Sequence, residues 1–193
     1  MIKIGVIAMS AKPYHVGHDM LIRLASKECD NVKVFVSLSD RQRPGEIQVL
    51  GSDMQRIWTD HIEPTLPGNV SLNYEGNPVR NIYDFLGKEN EEGSTDTYVI
   101  YSDPADMEHS FPTKSLSKYL GDLYATGHVV LEPIHRSETV NVSGTMMRKW
   151  IQDNDFVSFK AHCPKTMDSE GIYAMLRQNA KLIPPKKKRP RKK

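Results

Sequence analysis

The pattern of apolar and polar positions along the chain alternates between two periods. Residues 2–9 (Ile-Lys-Ile-Gly-Val-Ile-Ala-Met) form a short, β-branched, almost wholly apolar run, the pattern of a strand buried on both faces. From His15 the apolar residues Val16, Met20, Leu21, Leu24 and Ala25 recur at helical spacing, which predicts a helix opening beside His15 and His18. Residues 32–38 read as a second strand, and 39–49 as a polar loop with a Pro44-Gly45 turn. Ser52 with Gln55 reads as a capping box opening a helix that runs to about Glu63, before Pro64.

Residues 70–74 are a third strand, and Asn77-Pro78 an N-cap and first-turn pair for a helix carrying Val79, Ile82, Tyr83 and Leu86. Residues 97–101 form a fourth strand leading into a loop at 102–110. A helix over 115–124 and a fifth strand over 128–131 follow. Ser143 opens a helix through about Gln152, and two short helices are expected near 155–161 and 168–181. Strands alternating with helices at this spacing predict an α/β fold with an open, mostly parallel sheet and helices on both faces. Ligands in such sheets sit beyond the carboxyl ends of the strands, which places the turn after strand one and the loops 39–49 and 102–110 on one rim.

With 193 residues the chain fits one domain and a small appendage. The expected division is a main domain over 1–165, a packing helix within 166–183 and a basic, disordered tail over 184–193. No apolar run approaches the roughly 18 residues of a membrane span, and the N-terminal run lacks a charged leader and cleavage site, so a strand is expected there. Cys29 and Cys163 have no zinc spacing or disulfide framework and read as reduced thiols of an intracellular, cytoplasmic protein. The charge is asymmetric. Of 26 Lys and Arg, seven lie in 186–193, so the remainder, with 19 basic groups against 24 acidic ones, has a net charge of −5 although the whole chain stands at +2.

Two stretches carry candidate chemistry. In Ala8-Met-Ser-Ala-Lys-Pro-Tyr-His15-Val-Gly-His18 a buried strand, a turn and a helix N-terminus make an anion-binding corner, with free N–H groups and the positive dipole end pointing the same way. His15 and His18 share the face of one helical turn, and Gly17 lets a phosphate chain approach the backbone. Alone, such a histidine pair also fits an ordinary helix start. In Val142-Ser-Gly-Thr-Met-Met-Arg148, the Ser143 and Thr145 hydroxyls stand at a helix start beside Gly144, and Arg148 can fork onto the same oxyanions. Plain capping followed by an exposed arginine fits as well.

Taken in order, about 125 residues apart, the two stretches resemble the His-x-Gly-His and Ile-Ser-x-Thr-x-x-Arg elements of the nucleotidyltransferase superfamily. That group holds cytidylyltransferases, nicotinamide-nucleotide adenylyltransferases and phosphopantetheine adenylyltransferases. The resemblance spans residues 1 to roughly 165. Met9 stands where the family has glycine and Ala11 where it has an aromatic, so the first motif is a divergent form.

The resemblance implies a Rossmann-like fold and an enzyme transferring a nucleoside monophosphate to a phosphorylated small-molecule acceptor, with release of pyrophosphate. The Ser-Gly-Thr form leans towards AMP from ATP, with CTP as the alternative. It further implies that His15, His18 and Arg148 are catalytic. Met9, Ser10, Ala11, Lys12, Gly17, Ser143, Gly144 and Thr145 would bind the nucleotide, and Mg2+ would ride mainly on triphosphate oxygens. Lys12 either touches the triphosphate or faces solvent. Arg41, Arg43 and Asp103 are candidates for the acceptor, or simply polar loop residues, as is Asp106. Trp58 and Trp150 read as packing residues, and His61, His109, His128, His135 and His162 show no ligand spacing.

The tail at 186–193 has the charge density to bind nucleic acid or another polyanion and also resembles a nuclear-import signal; a solubilising end fits equally. A catalytically lapsed scaffold that binds nucleic acid through this tail is the rival reading. Self-association into a homo-oligomer is compatible with either.

Overall fold

The most apolar run of the chain becomes the central strand. In the computed structural model, which describes residues 1–135 and 141–185, β1 (Lys3–Met9) lies between β2 (Asn31–Val36) and β4 (Thr97–Ser102). β3 (Val70–Asn73) flanks β2 and β5 (Val129–Pro133) flanks β4, so the sheet order is β3-β2-β1-β4-β5. Every ladder is parallel. The chain winds outward from β1 to one side, then returns to wind outward to the other. The order therefore reverses between β1 and β4, and the crevice outside their carboxyl ends is the place for a ligand.

Period-two alternation sorts the strands' side chains into two cores. Ile4 and Val6 of β1 and Tyr98 and Ile100 of β4 meet Ile82 and Leu86 of α3 (Pro78–Glu91) and Leu116, Leu120 and Leu123 of α5 (Thr113–Ala125). Ile7 and Met9 face the other way. With Val34, Val99 and Tyr101 they pack on α1 (Val16–Glu28), α2 (Gly51–Ile57), α6 (Gly144–Gln152), α7 (Phe156–Ala161) and α8 (Ser169–Gln178). Asn77 caps α3 by accepting from the Arg80 N–H, with Pro78 in the first turn. Ser143, Asp155 and Asp168 cap α6, α7 and α8 through their side chains in the same way.

Three expectations are corrected. The Ser52 capping box does not form: α2 starts at Gly51 with Leu50 as an N-cap that offers no side chain, and the Gly51 N–H donates to Asp40 Oδ1 at 2.8 Å instead. A side chain at Gly51 would bring a Cβ within 1.6 Å of the Leu38 carbonyl oxygen, so the helix start is pressed against the end of the β2 loop. Beyond Ile57 the helix loosens into a π turn over Trp58–Ile62 and a 3-10 turn over Glu63–Thr65 that holds Pro64. The stretch read as a loop at 102–110 contains α4 (Pro104–Ser110), capped by Asp103. On α1 the buried positions are Ile22, Ala25 and Asp19, whereas Met20 is 45% exposed.

The described C-terminus returns to the sheet side. Residues 181–183 pair with 45–48: Gly45 N–H donates to Ile183 O, Gln48 N–H to Lys181 O, and Ile183 N–H to Glu46 O, at 2.8–3.0 Å. Gln48 Nε2 reaches Asn179 O, and Asn179 Nδ2 donates to both Asp53 carboxylate oxygens. The basic stretch at 186–193 lies outside the described residues, as does Val140, so the reading of the tail is neither placed nor altered by the fold. No helix among the described residues is long and apolar enough to cross a membrane.

Candidate functional site

A cleft of about 760 Å3 opens at the reversal of strand order, within the roughly 300–1,000 Å3 of small-molecule sites. Its floor is the turn after β1, one wall is α1, and the opposite wall is the start of α6. Arg41, Arg43, Asp103 and Asp106 stand on its rim. Every residue singled out from the sequence lines it: Met9, Ser10, Ala11, Lys12, His15, Gly17, His18, Arg41, Arg43, Asp103, Ser143, Gly144, Thr145 and Arg148.

His15 and His18 are held by the backbone of their own turn. His15 is the N-cap of α1: its Nδ1 accepts the Gly17 N–H, while its own N–H donates to Nδ1 of His18, each at 3.2 Å. In a neutral imidazole whose Nδ1 accepts, the proton sits on Nε2, so each ring is set to donate from its far nitrogen. The rings stack with centroids 3.8 Å apart. Behind them, the buried Tyr14 ring lies 5.6 Å from His18 and meets Trp58 edge-on at 5.0 Å. Tyr14 Oη donates to Asp19, which also receives Arg23 Nε at 2.8 Å. Burial and the Asp19 carboxylate push the Tyr14 phenol upward, so it stays neutral.

The free helix-start amides expected here are not free. Val16 N–H donates to His162 O, Gly17 N–H to the His15 ring, and His18 N–H to His15 O. At this corner the imidazoles and the helix dipole, rather than open amides, are what an anion would meet.

Lys12 does not face solvent. It is 5% exposed, and its ammonium donates to Ser37 Oγ at 3.1 Å and Ser39 Oγ at 3.0 Å. Burial and then Arg41 lower its pKa, against a smaller opposing pull from Asp40. Ala11 before it has φ of 44°, a left-handed conformation that strains an L side chain, at the position where the family has an aromatic.

Arg148 is also buried, at 3% exposure, and not the surface arginine of plain capping. Its Nε donates to Glu46 Oε2 at 3.0 Å, Nη1 to the Lys12 carbonyl, and Nη2 to Thr145 Oγ1 at 2.9 Å. Gly144 permits this closeness, since a Cβ there would lie 3.0 Å from Arg148 Nη1 and 3.2 Å from Lys12 O. Ser143 Oγ caps α6 by accepting the Met146 N–H. Burial first, and the neighbouring Arg41, lower the Arg148 pKa, while Glu46 supports its charge.

Sequence reasoning missed Glu46, the serines under Lys12, and His135 on the cleft wall. Met20, Leu21 and Leu24 of α1, with Ile134, form an apolar stripe along the cleft. The i, i+1, i+4 spacing that signals a buried helix face serves a ligand-facing one equally well.

Comparison with known proteins bears on the fold. The family profile of the citrate lyase ligase C-terminal domain matches residues 4–46, the stretch holding β1, the two histidines and the Glu46 loop. No curated protein sequence matches the chain. Among solved structures, one described as a candidate nicotinate-nucleotide adenylyltransferase from Vibrio parahaemolyticus superimposes with a TM-score of 0.57 at 17% identity, covering 89% of this chain and 99% of its own. The Plasmodium falciparum nicotinic acid mononucleotide adenylyltransferase gives 0.53 at 16% identity, covering 91% and 98%. A bifunctional NMN adenylyltransferase/ADP ribose pyrophosphatase from Francisella tularensis, solved with AMP and a manganese ion, gives 0.55 at 14% identity. That match covers 92% of this chain, which spans only 52% of the longer protein. The resemblance carried by the two motifs thus extends to the whole described architecture, which is the Rossmann-like α/β fold shared with these adenylyltransferases.

Proposed function

We propose that the protein is a nucleotidyltransferase that moves AMP from ATP to a phosphorylated small-molecule acceptor. The observation that carries this reading is the convergence of two oxyanion-binding constellations on one cleft. His15 and His18, with their proton-bearing nitrogens set by backbone hydrogen bonds, stand at the start of α1, and Ser143, Gly144, Thr145 and Arg148 stand at the start of α6. An acceptor phosphate oxygen attacks the α-phosphorus, the α–β anhydride bond breaks, and pyrophosphate leaves with the bonding electrons. The chain forms no covalent intermediate. It aligns the reactants and stabilises charge on the α-phosphate and the leaving group. His18 donates to the α-phosphate in the transition state, and Arg148 and Thr145 hold the departing phosphates.

Asp103 and Asp106 are carboxylates on the cleft that could face a Mg2+ ion brought in with the triphosphate, and such an ion would supply positive charge to the reacting phosphates when bound. The apolar stripe of Met20, Leu21, Leu24 and Ile134 gives the cleft a surface for a base or for the ring of an acceptor, and Arg41 and Arg43 offer cations for the acceptor phosphate.

The test is pyrophosphate release from ATP and from CTP with Mg2+, across a panel of phosphorylated acceptors. One nucleotide and one acceptor are expected to support release, with His18→Ala slowing it by about 10²-fold or more. Binding of neither nucleotide would overturn the reading and leave the lapsed scaffold in its place.

A further inference from the structure

Resting on that reading, the structure also shows what keeps its arginines usable. Arg41 and Arg148 both line the cleft, and after burial the neighbouring Arg41 is the second cause that lowers the Arg148 pKa. Glu46 lies between them. Its Oε2 accepts Arg148 Nε and Arg41 Nε, each at 3.0 Å, and its Oε1 accepts Arg41 Nη2 at 3.4 Å. Glu46 does not line the cleft, whereas both arginines do, so the carboxylate meets them away from the ligand space. Arg148 spends three donor nitrogens on Glu46, Lys12 O and Thr145 and carries five N–H bonds in all.

Glu46 is itself held from outside its loop. Its carbonyl accepts the Ile183 N–H at 3.0 Å, and the adjoining Gly45 N–H donates to Ile183 O at 2.8 Å. A buried guanidinium beside a second, half-buried one needs a fixed counter-ion if both are to stay charged and still present hydrogen bonds to a ligand. Burial alone would raise the Glu46 carboxyl, yet the hydrogen bonds from Arg41 and Arg148 outweigh it and leave its pKa below the ordinary value.

We infer that Glu46, anchored through its backbone by the C-terminal residues 181–183, is a positioning residue that holds Arg41 and Arg148 as a paired oxyanion bracket. The residues before the basic tail are thereby part of the site, though they touch no ligand.

The experiment compares wild type, Glu46→Gln, Glu46→Asp and Ile183→Pro by two readouts. One is the exchange-protected Nε–H resonances of Arg41 and Arg148, assigned with Arg148→Lys. The other is the affinity for inorganic tripolyphosphate by calorimetry. Glu46→Gln keeps an acceptor but not the charge. It is expected to lose the protected Arg148 resonance and to weaken tripolyphosphate binding by about tenfold or more, with the circular dichroism spectrum unchanged. Ile183→Pro removes the N–H that anchors Glu46, along with the isoleucine side chain and the freedom of φ there, and is expected to move both readouts in the same direction by less. Glu46→Asp should restore part of both.

Unchanged tripolyphosphate affinity in a Glu46→Gln protein that has lost the resonance would overturn the bracket. So would retained protection of the Arg148 resonance in that variant. Protected resonances in a wild type that binds neither tripolyphosphate nor ATP would overturn the cleft reading itself, and the bracket's purpose with it.

Discussion

At the scale of single residues, the site is tight because two backbones and a guanidinium meet where a side chain is absent. Gly144 is the clearest instance. The Lys12 carbonyl and the Arg148 guanidinium converge on the space a Cβ would fill, and Arg148 cannot retreat without releasing Thr145 or Glu46. Gly144→Ala is therefore expected to displace Arg148 and weaken tripolyphosphate binding by about tenfold, with little change in thermal stability, because the cost falls on a charged hydrogen-bond network and not on the core. Calorimetry beside a thermal melt separates the two. Equal loss of affinity and of melting temperature would instead point to general misfolding. The same close meeting explains what was illegible. Glu46 follows a Pro-Gly turn like any solvated loop glutamate, and its partner Arg148 lies 102 residues away. Nothing local marks it. The places of His15, His18, Ser143 and Thr145 at two helix starts were legible because each start is written within one helical turn.

At the scale of elements, buried parallel strands announce themselves as apolar runs, which made β1, β2 and β4 readable from the sequence, while the edge strands β3 and β5, mostly half-buried or exposed, carry a weaker signal. Helix starts were readable where the cap is a side chain in the sequence, as at Asn77 and Ser143. They were not readable where the cap comes from elsewhere. At α2 the donor is Gly51 and the acceptor is Asp40 in a preceding loop, so a plausible Ser52 box one residue along misled. α4 was hidden for a different reason: of its seven residues only Met107 is buried, too little for a periodic signal. The α2 junction yields a stability prediction. Gly51→Ala would place a Cβ 1.6 Å from Leu38 O, backbone against backbone, so the helix must shift away from the β2 loop. Overpacking of this kind costs roughly 3 kcal/mol, which for a chain of this length lowers the melting temperature by about 6–12 °C. An unchanged melting curve would show that the junction yields freely.

At the scale of the whole molecule, charge and chemistry occupy separate places. The cleft gathers Lys12, Arg41, Arg43 and Arg148 within a body that is net −5 without its last eight residues, while seven basic groups sit in those eight. On the proposed reading a small phosphorylated substrate would meet the cations of the cleft, of which Lys12, Arg41 and Arg148 are held at short range by Ser37, Ser39 and Glu46, contacts little screened by salt. On the reading that the tail binds a polyanion, each neutralised phosphate would add to a steep salt dependence. That reading and the proposed activity of the cleft are separable by one deletion. Removing 186–193 is expected to leave ATP-dependent pyrophosphate release and the melting temperature in place, since that stretch has nothing apolar to bury. It is also expected to abolish retention on a single-stranded DNA column at about 50 mM salt, retention which the intact protein loses steeply towards about 200 mM. If DNA retention survived the deletion, the polyanion site would lie on the folded body instead. If pyrophosphate release were lost with the tail, the tail would be acting on the nucleotide or its acceptor, and the separation of cleft and tail would fall.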